Sequence, residues 1–505
     1  MSAKLQTVHV RVNDAATGQP TPVRIRFTDA AGNYYAPFGR LTEFATGVNQ
    51  DVGGNLQFGK TNFAVIDGTC EIALPPGPIR IDIKKGFEYR PLHQEIQLGP
   101  GQLALRFAME RWLDLRSESW HSGDGRAHFL SPEAALLEGA AEDLALVNLL
   151  AVHWQPQAQE PPALSNLLGF SGQQPALETP GHMVVVNTLN ASSLGNLALL
   201  NCHRVVYPLH FERINWTLAD WCGQCHRKGG LVAWPEDDSW PLIRDDDFVS
   251  EGLIDLILGK VDALEVDLLP WTGDSDLDWY TLLNAGLRIP LLGASRKKSN
   301  TTALGCVRTY ARLNPGESFT YKNWIEAVRA GRTFVTNGPL LFFAINGEES
   351  GSTIDLPAGT KTIQVRAEAR SLVPFERLEV IHNGRVFAEQ KASGIPAHAI
   401  LETELAVTES GWWAARCWGE HHVEESICPQ PASAHTSAIY VRLAGQLMIP
   451  RADAVRGVLD QCDQFGKMLD RLNRQGQFAS QADRQRFTGL LQEARQIMQA
   501  KTKEV

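Results

Sequence analysis

Cysteine is sparse in this chain. Eight residues dispersed over 505 form no disulfide framework, and free thiols are the default. Long apolar runs are missing too: no stretch of 18 apolar residues occurs, so no membrane span is expected. The opening Met1-Ser2-Ala3-Lys4-Leu5-Gln6-Thr7 has no signal-type apolar core. As given, the chain therefore reads as cytoplasmic, and a secreted or periplasmic form that had lost its leader would read the same. Positive charge is in deficit. A formal net charge of −10 argues against nucleic acid or an anionic membrane as the main partner. No Gly-x-Ser-x-Gly elbow marks a nucleophilic serine. Gly59-Lys60-Thr61 lacks the earlier glycine and the following helix of a phosphate loop.

What is present is the composition of a soluble globular protein, 44% apolar and 21% charged. At about 150 residues per domain the length implies roughly three domains. Residues 1–112 read as all-β. Val8, Val10 and Val12 alternate with polar residues, as do Val23, Ile25 and Phe27, and Leu74-Pro75-Pro76-Gly77-Pro78 punctuates before another strand. A β-sandwich of Ig-like type fits that pattern. From 113 to 337 the pattern changes. Ser131-Pro132-Glu133 starts a helix. Apolar runs at Leu144–Val152, Met183–Val186, Gly230–Pro235, Ala263–Val266 and Ile289–Gly293 are interleaved with helical stretches. Strands of that kind are buried on both faces and parallel, and about seven such units predict a barrel. Residues 338–445 return to alternation, with Asn383-Gly384 as a hairpin turn, and predict a second sandwich. From 446 to 505 the helical spacing of Val455, Val458, Leu459, Cys462, Phe465, Leu469 and Leu472 predicts the first arm of a hairpin. Ser480 with Asp483 caps the second, with Phe487, Leu490, Leu491, Ala494 and Ile497 inward.

The chain reads as organised around Trp120-His121-Ser122-Gly123-Asp124-Gly125-Arg126-Ala127-His128-Phe129, which opens the expected barrel region. Together with Gly331-Arg332-Thr333-Phe334-Val335-Thr336-Asn337-Gly338-Pro339, Arg308-Thr309-Tyr310 and Asn346-Gly347, it resembles the carbaryl-hydrolase-like (CehA/McbA-like) metallohydrolases. These are a branch of the PHP (polymerase and histidinol phosphatase) superfamily. The resemblance covers most of the chain. It implies a multidomain fold, a central PHP-like distorted (βα)7 barrel flanked by two Ig-like β-sandwiches with a C-terminal helical hairpin, and divalent metals at the strand C-terminal ends.

The ligand positions implied by the resemblance are largely replaced. The family's Gly-Asp-x-His-x-His reads Gly123-Asp124-Gly125-Arg126-Ala127-His128. Its glutamate falls at Leu189, its Gly-His at Gly195-Asn196, its Trp-Pro-His at Trp234-Pro235-Glu236, and its last aspartate at Arg296. Zinc or manganese needs lone pairs from imidazole, carboxylate or thiolate. Arginine offers donors only and stays charged. Two unit charges 4 Å apart interact by about 4 kcal/mol at an effective dielectric of 20, so a guanidinium beside a dication opposes binding by roughly twice that. Of the matched set only His128 survives. The expectation is a degenerate, catalytically inactive scaffold or binding protein without a metal, whose partner is a protein or a small anion. Its old metal cavity would be filled by an ion-pair and hydrogen-bond network, with Asp124 a candidate member. One alternative is an anion-binding module using Arg126, Arg296, Lys297 and Lys298. Another is an active hydrolase of ester, carbamate or phosphoester bonds, with Zn or Mn in a reduced site of Asp124, His128, His153 and Glu236.

Other signals are weaker. Trp221-Cys222-Gly223-Gln224-Cys225-His226 imitates haem-attachment and thioredoxin motifs, but the pair falls late in a predicted helix, where no N-terminal dipole lowers a thiol pKa. His182, His203 and His210 show no ligand interval, and His121 beside Trp120 reads either as a ligand or as a hydrogen-bonded structural histidine. The acidic runs Glu236-Asp237-Asp238 and Asp245-Asp246-Asp247, and His421-His422, read as solvated loops.

Overall fold

The alternating valines at the N-terminus form the strand Gln6–Asp14, and all three are fully buried. The structure, a computed structural model, describes residues 5–50, 52–154, 163–211, 213–235, 249–266, 279–420, 427–428 and 430–502. Gln6–Asp14 pairs with Thr69–Leu74 and Ala104–Met109. A second sheet runs Asn55–Phe58, Thr61–Ile66, Val23–Asp29, Gly77–Lys84, Leu92–Leu98. The two sheets share one apolar cluster, with Val8, Val10 and Val12 meeting Ile25, Phe27 and Ile81.

The middle of the chain begins with Trp120–Ala127, which pairs in parallel with Leu146–Trp154, itself parallel to His182–Ser192. The structure then departs from the expected helix after every strand. Gly195–Leu200 folds straight back on His182–Ser192 as an antiparallel hairpin, and Leu231–Pro235 pairs antiparallel with it. Parallel order resumes through Ala263–Val266 and Leu291–Gly293. Arg308–Arg312 runs antiparallel beside Trp120–Ala127 and carries the sheet on to Thr333–Thr336. The helices preceding these strands start as their sequences require. Ser131 Oγ accepts from Ala134 N at 3.2 Å, and Thr217 and Asp220 form a reciprocal capping box.

One helix sits where the inward faces of these strands converge. Tyr321, Trp324, Ile325 and Val328 of Tyr321–Arg329 share a buried cluster with Leu150, Leu189, Ala233, Ala263 and Leu292. This explains two of the glycines in the opening stretch. A Cβ on Gly123 would lie 2.5 Å from the Trp324 ring, and one on Gly125 would lie 2.9 Å from the Gly293 carbonyl.

Beyond Thr336 a four-stranded sheet, Glu348–Glu349, Leu340–Ile345, Thr362–Ser371 and Ala397–Ala406, packs on strands that continue the large sheet. Phe343, Val365 and Ala367 meet Leu378, Val380 and Trp413 across the layer. Asn383 and Gly384 both adopt positive φ, 48° and 83°, as a two-residue hairpin turn requires. Helices Ala452–Arg474 and Gln481–Thr502 form the expected hairpin. Val458, Phe465, Phe487 and Leu491 pack on Leu253, Ile257, Leu283 and Leu287 of the same chain. Met498 takes the fully buried place expected of Ile497, which is only partly buried. Among the described residues no helix is long and apolar enough to cross a membrane.

Candidate functional site

The sequence places the chemistry at the end of Trp120–Ala127 and in the segment after Leu291–Gly293. The structure brings those two segments together. Ala127 bridges Lys297 in parallel, His128 N donates to Lys297 O at 2.8 Å, and Arg296 N donates to Arg126 O at 3.0 Å. A register shift between Asp124 and Ala127 lets the strand bulge there, and a bulge re-aims side chains.

Asp124 is fully buried and saturated. Its Oδ1 accepts from Arg126 N at 3.1 Å and Ser295 N at 2.9 Å. Its Oδ2 accepts from Ser295 Oγ at 2.5 Å and Gly305 N at 2.8 Å. Burial raises its pKa, and these four hydrogen bonds oppose that rise. Asp124 thus ties the 295–305 loop to the strand instead of facing a metal.

Arg126 turns toward Glu265 of Ala263–Val266. Its Nη2 lies 2.5 Å from Glu265 Oε1, and both side chains are at most 2% exposed. The ion pair offsets the charge of a buried cation that would otherwise be very costly, while Nε and Nη2 of Arg126 make no well-aligned hydrogen bond among the described residues. His128 is completely buried, its Nδ1 3.3 Å from Leu150 O. Burial drives its pKa well below the usual value, and Arg126, Lys298 and Arg296 push it further. Burial and these charges all favour the uncharged imidazole.

Lys297 differs from the sequence reading, which grouped it with Arg126, Arg296 and Lys298. Its Nζ points the other way, toward helix Pro132–Ala141, donating to Ser299 O and Thr302 O and lying 3.3 Å from Glu138 Oε2. Arg296 adopts a left-handed backbone conformation, φ 53°, so the chain turns just before Lys297 and its side chain is directed toward the helix.

The reduced hydrolase site is not assembled by the described residues. His153 packs its ring edge-on against His210, 5.2 Å between centroids, and each carboxylate oxygen of Asp124 already accepts two hydrogen bonds. Glu236, both acidic runs and His421-His422 lie outside the described residues. The replaced ligand positions are buried: Leu189 within the apolar cluster and Asn196 opposite Ala191 in the hairpin. Among the described residues no group of three or more His, Cys, Asp or Glu is placed to hold a metal. With Arg126 at the expected histidine position and Glu265 committed to it, these donors do not fit the family's metal cage.

The remaining histidines go to separate partners. His182 Nδ1 lies 2.6 Å from Leu144 O, His203 Nδ1 lies 2.9 Å from Lys228 O, and His121 stacks on Phe319. Cys222 and Cys225 fall within helix Leu218–Arg227, both fully buried, and burial pushes both thiols well above their usual pKa. A redox pair needs the opposite shift. His226 is held by Asp262, Nε2 to Oδ2 at 2.9 Å.

Sequence reasoning missed Glu265. Its signal was a single carboxylate inside the otherwise apolar strand Ala263-Leu264-Glu265-Val266, a placement that demands a buried partner. Comparison with protein-family models, with curated proteins and with solved structures finds no match to this chain.

Proposed function

We propose that this chain is a degenerate homologue of the PHP metallohydrolases, catalytically inactive and serving as a binding or scaffold protein. In this reading an Ig-like sandwich, a distorted (βα)7 barrel and a second sandwich follow one another, and the barrel mouth no longer holds metal. The observation that carries it is the buried Arg126–Glu265 pair. A guanidinium occupies the position of a ligand, and the nearest carboxylate of the strand wall neutralises it. The test is element analysis of protein purified without chelators, paired with assays on 4-nitrophenyl esters and phosphodiesters. Substoichiometric Zn and Mn with no turnover is the expected result. One or more tightly held divalent ions per chain would overturn the reading.

A second reading is favoured by the backbone pairing that brings Arg126 and Arg296 together and by the positive charge that Arg126, Arg296 and Lys298 exert on His128. They suit a small anion at the barrel mouth, held by Arg126, Arg296 and Lys298. A thermal shift with inorganic phosphate, lost in Arg296→Ala, supports this reading. No shift at millimolar phosphate excludes it.

A further inference from the structure

A second polar concavity lies away from the barrel mouth, where the N-terminal sheets, helix Pro132–Ala141 and the last sheet region meet. It is a cleft of about 70 Å³, several times the roughly 10–15 Å³ that a single water needs. Its charged lining consists of Arg24, Lys84, Lys85 and Glu142, three cations to one carboxylate. Its apolar lining includes Phe87, Val373 and Ile427.

The charged side is built and buried. Arg24, 2% exposed, lies between the rings of Phe58 and Phe63, its carbon 5.0 and 5.1 Å from their centres. Its Nε is 3.0 Å from Glu142 Oε1. Lys85 Nζ donates to Pro22 O at 3.0 Å and Ala140 O at 2.6 Å. Arginine has five donors and lysine three, so both keep N–H groups beyond these contacts. Glu142 Oε2 is buried with no hydrogen-bond partner among the described residues. The Glu142 backbone packs against Gly86, where a Cβ would lie 2.4 Å from the Glu142 carbonyl oxygen and φ is +55°, and that carbonyl accepts from Arg308 Nη1 at 2.9 Å.

The motif Gly331–Pro339 also reaches this cleft, through Asn337 and Gly338. Asn337 is fully used, accepting from Ser433 N at 2.7 Å and donating to Pro431 O at 2.9 Å. A Cβ on Gly338 would meet nothing nearer than Val373 at 3.8 Å. The glycine therefore keeps open a space that a side chain would enter.

We propose that this cleft binds a small carboxylic acid with an apolar body, its carboxylate against Arg24 and Lys85 and its body against Phe87 and Val373. A hydroxyl or ammonium on such an acid would satisfy Glu142 Oε2. The inference does not depend on the reading of the barrel mouth.

The test uses the full chain and three probes: benzoate, its neutral isostere benzamide, and inorganic phosphate. Benzoate at tens of millimolar is expected to raise the melting temperature by roughly 2 °C through preferential binding to the folded state. Benzamide and phosphate should do markedly less. Val373→Trp, which fills the cleft, should abolish the benzoate shift, and Lys84→Ala, at the rim, should weaken binding at least threefold by calorimetry. Equal shifts with benzoate and benzamide would overturn the proposal. So would phosphate matching benzoate, or a benzoate affinity unchanged in both variants. If Val373→Trp does not fold, Lys84→Ala alone decides.

Discussion

At the scale of single residues, the decisive pairing is Arg126 with Glu265. Removing one partner leaves the other charged and nearly dry, which costs about 3–5 kcal/mol. Arg126→Met or Glu265→Gln should each lower stability by that order in urea titrations. The double variant Arg126→Met/Glu265→Leu should lose less than the sum, because no charge is then stranded. A second residue-scale effect depends on pH. Glu251 and Asp255, four residues apart on helix Glu251–Ile257, are both fully buried, and burial raises both pKa values. Asp220 raises that of Glu251 further, while Arg486 and Lys260 oppose the rise and Cys222 hydrogen-bonds Asp255. For an acid whose folded pKa lies above its unfolded value, the fold accepts the neutral form. Stability is then full below the unfolded carboxylate pKa of about 4 and falls as pH rises toward the folded value. Glu251→Gln should flatten that decline, so that melting curves from about pH 5 to pH 9 converge less steeply than in the parent chain. Much of the site was legible at this scale. Arg126, His128 and Arg296 declare their chemistry by residue type alone. Glu265 was not legible, because its partner lies far away in sequence, and Lys297 was misplaced because its side depends on local backbone direction.

At the scale of elements, the helix Tyr321–Arg329 explains why the strands around it are so apolar and why Gly123 is a glycine. Tyr321 Oη donates to Asn148 Oδ1 at 2.8 Å and accepts from Asn187 Nδ2 at 2.9 Å, joining the helix to two strands. Tyr321→Phe leaves both amides short of a partner and should cost about 1–3 kcal/mol by chemical denaturation. Gly123→Val drives a side chain into Trp324 and should cost at least as much, about 1–3 kcal/mol for an overpacked core. Strands and helices with strong periodicity or clear caps were readable: Gln6–Asp14, Pro132–Ala141, Leu218–Arg227 and the turn at Asn383-Gly384. The hairpin of His182–Ser192 and Gly195–Leu200 was not. Both arms are buried on both faces, so they carry no alternation, and Ser192-Ser193-Leu194-Gly195 is a weak turn signal.

At the scale of the whole molecule, the helical hairpin at 452–502 contributes to the core as much as to the surface. Phe465 is fully buried, and Phe465→Ala should cost about 3–5 kcal/mol, read as a lowered denaturation midpoint. The sequence pattern revealed the hairpin and its apolar stripe, but the surface it covers is assembled from elements scattered between Leu194 and Leu291, which only the fold brings together. That geometry has a consequence for biosynthesis. During translation the patch around Leu253, Ile257 and Leu287 emerges long before its cover, and it stays wet until the ribosome has released both closing helices. Nascent chains halted before residue 452 would then be the form most in need of a chaperone.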